Sequence, residues 1–382
     1  MMERRLTGTA PRPSANPPLT SRLMVALPVA AASLAGALAV GMPEALAASD
    51  KPVADKPVAD KPVIALSNSY YGNTWRRQMV ESFEAAATQA KQEGKIADFI
   101  VANGDGSTNQ QMSQMGDLIL RKVDVIAIDA ASETALNGVI QKACKAGITV
   151  VAFDSLVSAP CAYTLGFDFR KYQADMATEI AKRLNGRGNV IIVRGVKGSA
   201  PDNEMYGGQM EALKKFPDIK VVATVYGQAT TATAQSAVAN VLPSLPKVDA
   251  VIGQGGGDDF GIAQAFEQYG GDYEKKPPII TGGGSSNFIQ WWAAQKEKSG
   301  YSTVSMNSAP GIGSAAFWLA YEIAKGAKPA KALTMPVTVV DETNLNEFRS
   351  MPSGTIVSPT YSQDWVQKTL LGAGGQTQAQ AK

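Results

Sequence analysis

Side chains able to do chemistry gather immediately after short apolar runs. The stretch from Asn68 to Arg76 offers Asn68, Asn73, two tyrosines, Trp75 and an arginine. Asp129 closes one run, and Asp154 with Ser155 follows another. Gly195 to Glu204, Gln254 to Asp259, Gly282 to Ser286 and Asn307 repeat the arrangement further along. A neutral polyhydroxylated ligand wants this inventory: carboxylates and amides to bond its hydroxyls, and an aromatic platform for its ring face. Catalysis has less to draw on. The sequence contains 0 histidines, which removes imidazole as a metal ligand and every Ser-His or Cys-His apparatus. Asp129 and Asp154 end neighbouring runs and could pair for acid–base work, but no other residue completes such a constellation. Cys144 and Cys161 are too few for a zinc site, so neither metal nor cofactor is expected.

Each candidate has a plainer reading beside the functional one. Gly255–Gly257 and Gly282–Gly284 offer backbone N–H groups that could cradle phosphate, yet neither run has the P-loop lysine. Tight strand-to-helix turns, or room left for a bulky ligand, explain them as well. Trp75 precedes Met79 by one helical turn, so it either caps a core stripe or stacks on a ligand. Trp291 and Trp292 lie deeper in a helical segment, where packing is the better expectation. Arg76 can fork two hydroxyls or simply open a helix into solvent. Asp258 and Asp259 favour a helix start for dipole reasons, and one of them is a candidate to face ligand.

The elements that must position these groups alternate along the chain. Strands are expected at 63–67, 98–102, 124–128, 148–153, 189–193, 219–225, 250–252, 278–281 and 303–306. Most are apolar on both faces, as a parallel sheet covered by helices requires. Met79, Val80, Phe83, Ala86, Ala87 and Ala90 fall on one stripe at helical spacing. Ser132 is placed to cap the helix that Gly147 ends, and Pro310 with Gly326 brackets another. The α/β alternation is too long for one sheet and implies two doubly wound lobes. In such sheets ligands sit beyond the carboxyl ends of the strands, which is where the polar residues lie.

With 36 Lys+Arg against 34 Asp+Glu, a net charge of +2 gives no field to gather nucleic acid. Arg4, Arg5, Arg12 and Arg22 precede an Ala-rich apolar run ending at Ala45-Leu46-Ala47, so residues 1–47 read as a cleavable signal peptide. A transmembrane anchor is the rival, weakened by Pro28 and Gly36. Residues 48–60 carry the repeated unit Asp-Lys-Pro-Val and read as an extended linker. Residues 371–382 read as a disordered tail.

The order of features, above all Asp117 through Asp129 and Ala143 through Asp154, resembles the type I periplasmic solute-binding proteins of sugar ABC importers. The resemblance runs from about Lys61 to Trp365. It implies an N-terminal lobe of 61–167 plus 307–336, and a C-terminal lobe of 168–306 plus 337–370. A three-strand hinge would join them, with crossings near Phe167–Arg170, Met306–Ser308 and Pro336–Val339. It also implies binding positions at Asn73, Trp75, Asp154, Asn203, Gly255, Gly283 and Asn307, to which the reading of the residues themselves adds Arg76 and Asp258. Asn203, Gly255 and Gly283 stand where ribose-binding members carry Arg, Asn and Asp, so the second lobe departs from their pattern. The implied activity is non-enzymatic: a monomer in the periplasm binds a monosaccharide, sugar alcohol or similar polyol and hands it to a membrane permease. A sensor presenting its closed form to a receptor is the alternative, and a secreted enzyme of this fold a more remote one. Export into an oxidising compartment favours a Cys144–Cys161 disulfide. Helix end and post-strand loop argue against contact, whereas the return through Ala159-Pro160-Cys161 permits it.

Overall fold

Burial of β-branched runs on both faces is what organises the chain. The computed structural model describes residues 60–372; the expected signal peptide, the linker before Asp60 and the tail beyond Gly372 lie outside the described residues. The first lobe opens with β1 (Val63–Asn68), α1 (Thr74–Gln92), β2 (Asp98–Asn103), α2 (Thr108–Leu120), β3 (Val125–Asp129), α3 (Asn137–Lys145), β4 (Thr149–Phe153) and β5 (Tyr163–Gly166). The second lobe follows with α4 (Phe169–Arg183), β6 (Arg187–Arg194), α5 (Ala200–Leu213), β7 (Asp218–Tyr226), α6 (Thr231–Val241), β8 (Ala250–Gly253), α7 (Asp258–Tyr269), α8 (Asp272–Lys275), β9 (Ile279–Ile280) and α9 (Ser286–Ser299). The chain then passes through β10 (Ser305–Asn307), α10 (Ile312–Ala324), β11 (Ala332–Thr334), β12 (Thr338–Val340) and α11 (Gln363–Trp365).

The first sheet runs β11-β5-β4-β3-β1-β2 and the second β7-β6-β8-β9, every pair parallel. Both are doubly wound α/β sheets with helices on their faces. Strand order reverses between β1 and β3 in one sheet and between β6 and β8 in the other. In each case a crevice opens at the carboxyl ends of those strands. The stripe of α1 packs as its spacing predicts, with Met79, Phe83 and Ala87 fully buried and Phe83 edge-on to Phe317 of α10. Ser132 does not cap α3: it accepts from Ala135 N in a preceding turn, and the helix proper starts at Asn137 with no side-chain cap.

The passage between lobes differs from expectation at its end. β10 pairs antiparallel with β12, a ladder of its own at the places two crossings were expected. Val340 at the end of β12 and Leu345 beyond it join the second lobe's core. The chain then returns, so that Tyr361, Val366 and Leu370 bury in the same core as Phe83 and Phe317. Residues 337–370 therefore do not all stay with the second lobe. A fourth crossing at Ile356–Val357 carries them back, because the apolar face of this last helical segment covers α10. Gln78 of α1 bonds both the N–H and the carbonyl of Ile356, each at 2.9 Å, while Val357 N donates to Gly284 O at 2.7 Å. Cys144 and Cys161 form a disulfide across a Cα–Cα distance of 6.5 Å, which the return after Pro160 makes possible.

Candidate functional site

The two switch points face one another across a cleft of about 430 Å³, lined from both lobes. Its first wall is built at the start of α1. Asn73 ends the turn after β1 as the helix N-cap, its Oδ1 accepting from Arg76 N at 2.8 Å. That cap fixes the first helical turn, so Trp75 and Arg76 leave it in defined directions. Trp75 is buried against the core yet borders the cleft, and its indole N–H donates to Ser308 O at 2.6 Å. Trp75 thus belongs to the core stripe and also borders the cleft.

Arg76 spans the switch point. Its guanidinium pairs with Asp129 at the end of β3, lies 3.5 Å from Asp154 Oδ2 and donates to Ser155 Oγ at 3.1 Å. Asp154 itself sits in the left-handed region, φ 54°, which Asp tolerates better than most residues and which swings the chain sharply away from the strand end. Burial raises the Asp154 pKa; Arg76 and then Ser155 oppose that shift. Burial likewise lowers the Arg76 pKa, with Asp154 opposing. Asp129 and Asp154 thus share one cation.

The second wall is quieter. Gln254 links its loops, accepting from Gly195 N at 2.7 Å and donating to Asp202 O at 3.2 Å. Asp202 takes a two-pronged bond from Arg194, 2.9 and 2.6 Å, and Arg194 lies between the rings of Tyr206 and Tyr226. Val196, Pro201, Met205 and Ala229 supply much of the remaining surface. Polar groups here mostly bond one another.

Asn73, Trp75, Arg76, Asp154 and Gly255 line the cleft. The other expected residues stand elsewhere. Asp258 is fully buried, accepting from Gln254 N and Gly255 N at 3.0 Å. Asp259 accepts from Gly283 N at 2.8 Å and Ser285 N at 3.2 Å. Of the N–H groups that suggested a phosphate cradle, those of Gly255 and Gly283 are taken by the protein's own carboxylates and that of Gly282 by the Val304 carbonyl. Asp258, bound inward in this way, is corrected as a residue facing ligand. Gly283 is no wall residue either: a Cβ there would lie 2.2 Å from Gly255 Cα, so it serves the close approach of two loops. Asn307 is buried in the hinge, donating to Val357 O at 2.9 Å, while its neighbour Ser308 reaches the cleft. Asn203 is exposed and borders a smaller adjoining chamber. Trp291 packs in the second core, stacked on Phe288 and bonded to Glu267.

Several cleft residues escaped the sequence reading. Asp105 and Gly106 follow β2, and Gln228 and Ala229 follow β7. The turn signals Asn103-Gly104-Asp105-Gly106 and Gly227-Gln228 directly after strands would have marked them. Phe169 and Met205 carried no such signal, because apolar side chains on helices look the same whether they face a core or a ligand.

Residues 64–328 match the family described as the periplasmic binding protein domain. An ABC transporter solute-binding protein from Thermobispora bispora is 38% identical in sequence, superimposes with a TM-score of 0.76, and covers 83% of this chain and 97% of its own. A xylitol-binding protein of Mycolicibacterium smegmatis is 29% identical over 194 residues, 50% of this chain and 55% of that protein. A multiple sugar-binding periplasmic receptor of Rhizobium radiobacter is 31% identical over 189 residues, 44% and 53% respectively. The chain thus spans about half the length of these two curated relatives. With its two doubly wound lobes and the cleft between their switch points, the chain belongs to the periplasmic binding proteins of type I fold.

Proposed function

We propose that the chain is the extracytoplasmic substrate-binding component of an ABC importer. It holds one monosaccharide, sugar alcohol or similar polyol between its lobes and passes it to a membrane permease. The observation that carries this reading is Asp154: a buried carboxylate at the cleft, restrained by Arg76, beside the Trp75 face. A carboxylate accepts two hydroxyls in charge-assisted bonds, and an indole face suits a pyranose ring. Arg76 meets two carboxylates already, so it has little charge left for an acidic ligand. A neutral ligand fits best. The importer role and the periplasmic location draw support from the solute-binding and sugar-binding relatives. Closure about the crossings would then present the liganded form to the permease, the protein acting as a monomer.

A thermal-shift panel tests the assignment. Ligand binding to the folded state alone adds RT ln(1 + [L]/Kd), roughly 2.7 kcal/mol at a hundredfold excess over Kd. Pentoses, hexoses, sugar alcohols or cyclitols should raise the melting temperature. A shift with amino acids or nucleosides, and with none of the polyols, overturns the reading.

A further inference from the structure

Beyond Ser155 the main cleft opens into a second chamber of about 160 Å³, against about 430 Å³ for the cleft itself. Ala130, Ala131, Ser155 and Gly198 border both, so the two spaces adjoin. The chamber's own walls come from the turn after β3, with Ser132 and Glu133, and from the first turn of α5, with Ala200 and Asn203. At about 30 Å³ per water it holds on the order of five waters, room for a substituent well beyond a single hydroxyl.

Its chemistry continues that of the cleft. Arg194 Nη2 donates to Asn203 Oδ1 at 3.0 Å, which fixes which end of the amide is oxygen and leaves Nδ2 as a donor. The Glu133 backbone is anchored, its carbonyl accepting from Ser158 N at 2.9 Å, while its exposed carboxylate has no bond or ion pair among the described residues. Ser132 and Ser155 add hydroxyls. Donor amide, acceptor carboxylate and hydroxyls on opposite lobes are again a set for sugar hydroxyls. Among the described residues no lysine or arginine lines the chamber, so the Glu133 charge disfavours a phosphate or carboxylate substituent.

We propose that this chamber is a second sugar subsite, so that the chain holds a neutral disaccharide or glycoside with one ring in the main cleft and the next between Glu133 and Asn203. The proposal rests on the sugar reading above and deepens it. Calorimetric titration of the purified chain with D-xylose and D-glucose, then xylobiose, cellobiose and maltose, tests it. Glu133→Gln and Ala200→Leu, which alter only the chamber, are titrated alongside. At least one disaccharide should bind tenfold or more tightly than its monomer, and both variants should erase most of that advantage while leaving monosaccharide affinity within twofold. Monosaccharide binding with no disaccharide advantage, or an advantage that both variants leave intact, overturns the subsite but not the sugar site. No binding by any of the five sugars overturns the subsite, while the polyol reading beneath it is decided separately by the thermal-shift panel.

Discussion

Replacing Asp154 by asparagine removes one charge and almost no volume. Asparagine also tolerates the left-handed backbone, φ 54°, that alanine would strain by about 1–2 kcal/mol. Arg76 keeps Asp129 and Ser155 as partners, so the wall should stand. What changes is the acceptor. Hydrogen bonds to charged groups are worth about 1.5–3 kcal/mol and neutral ones about 0.5–1.5, so each ligand hydroxyl on the carboxylate loses about 1–1.5 kcal/mol. At 1.4 kcal/mol per decade that is about tenfold in Kd for one hydroxyl, and roughly a hundredfold for two. Titration calorimetry with the polyol found by thermal shift measures it, with a melt of the unliganded variant as control. Unchanged affinity in a variant that melts like the parent would refute the placing of the ligand on Asp154.

Other expectations follow from the same structure. Burial first, and Asp259 second, hold the Asp258 pKa well above the carboxylate range, with the N–H groups of Gly255 and Gln254 opposing. A carboxyl group so raised stabilises the fold fully below its unfolded pKa and loses that contribution as pH rises through the folded value. The melting temperature of the parent relative to Asp258→Asn should therefore decline as pH rises from the carboxylate range; a flat difference contradicts the assignment. Trp291→Ala empties a packed site in the second core and should cost about 3–5 kcal/mol of stability with ligand affinity kept. Trp75→Ala should lose affinity as well as stability, and the opposite pattern in denaturant melts and calorimetry would exchange their roles. The Cys144–Cys161 bond closes a separation of 17 residues, and its loss in Cys144→Ser/Cys161→Ser should cost about 3 kcal/mol in the chain-entropy picture. Alkylation of the denatured, unreduced protein checks the bond itself by mass: two added labels would show that it is absent.

Much of the first lobe was legible because its physics is local. β1, β3 and β4 are apolar on both faces, and the α1 stripe repeats at helical spacing, so strands, helix and post-strand residues could be placed from the sequence. β5 and β11 were not seen as strands, and β12 only through the hinge strand that the resemblance implied near Pro336–Val339. They are three or four residues long and partly exposed, so pairing partners distant in the chain create them. The fourth crossing was hidden for a similar reason: Gln78 and Ile356 meet only in the folded molecule. In the second lobe, the resemblance set Gly283 against ligand, and the reading of the residues set Asp258 there. No spacing rule reveals that Gly255 and Gly283 donate their N–H groups to the carboxylates of Asp258 and Asp259. Arg76 illustrates the middle case, since its type suggested a fork, but the two acids it joins come from separate strands.

A crystal structure of the chain with the polyol selected by the thermal-shift panel tests the central claim most directly. The account predicts one ligand between the lobes, two of its hydroxyls within hydrogen-bond distance of Asp154 Oδ1 and Oδ2, and its ring against Trp75. A ligand seated elsewhere, or one in the cleft that leaves the Asp154 carboxylate untouched, would contradict it.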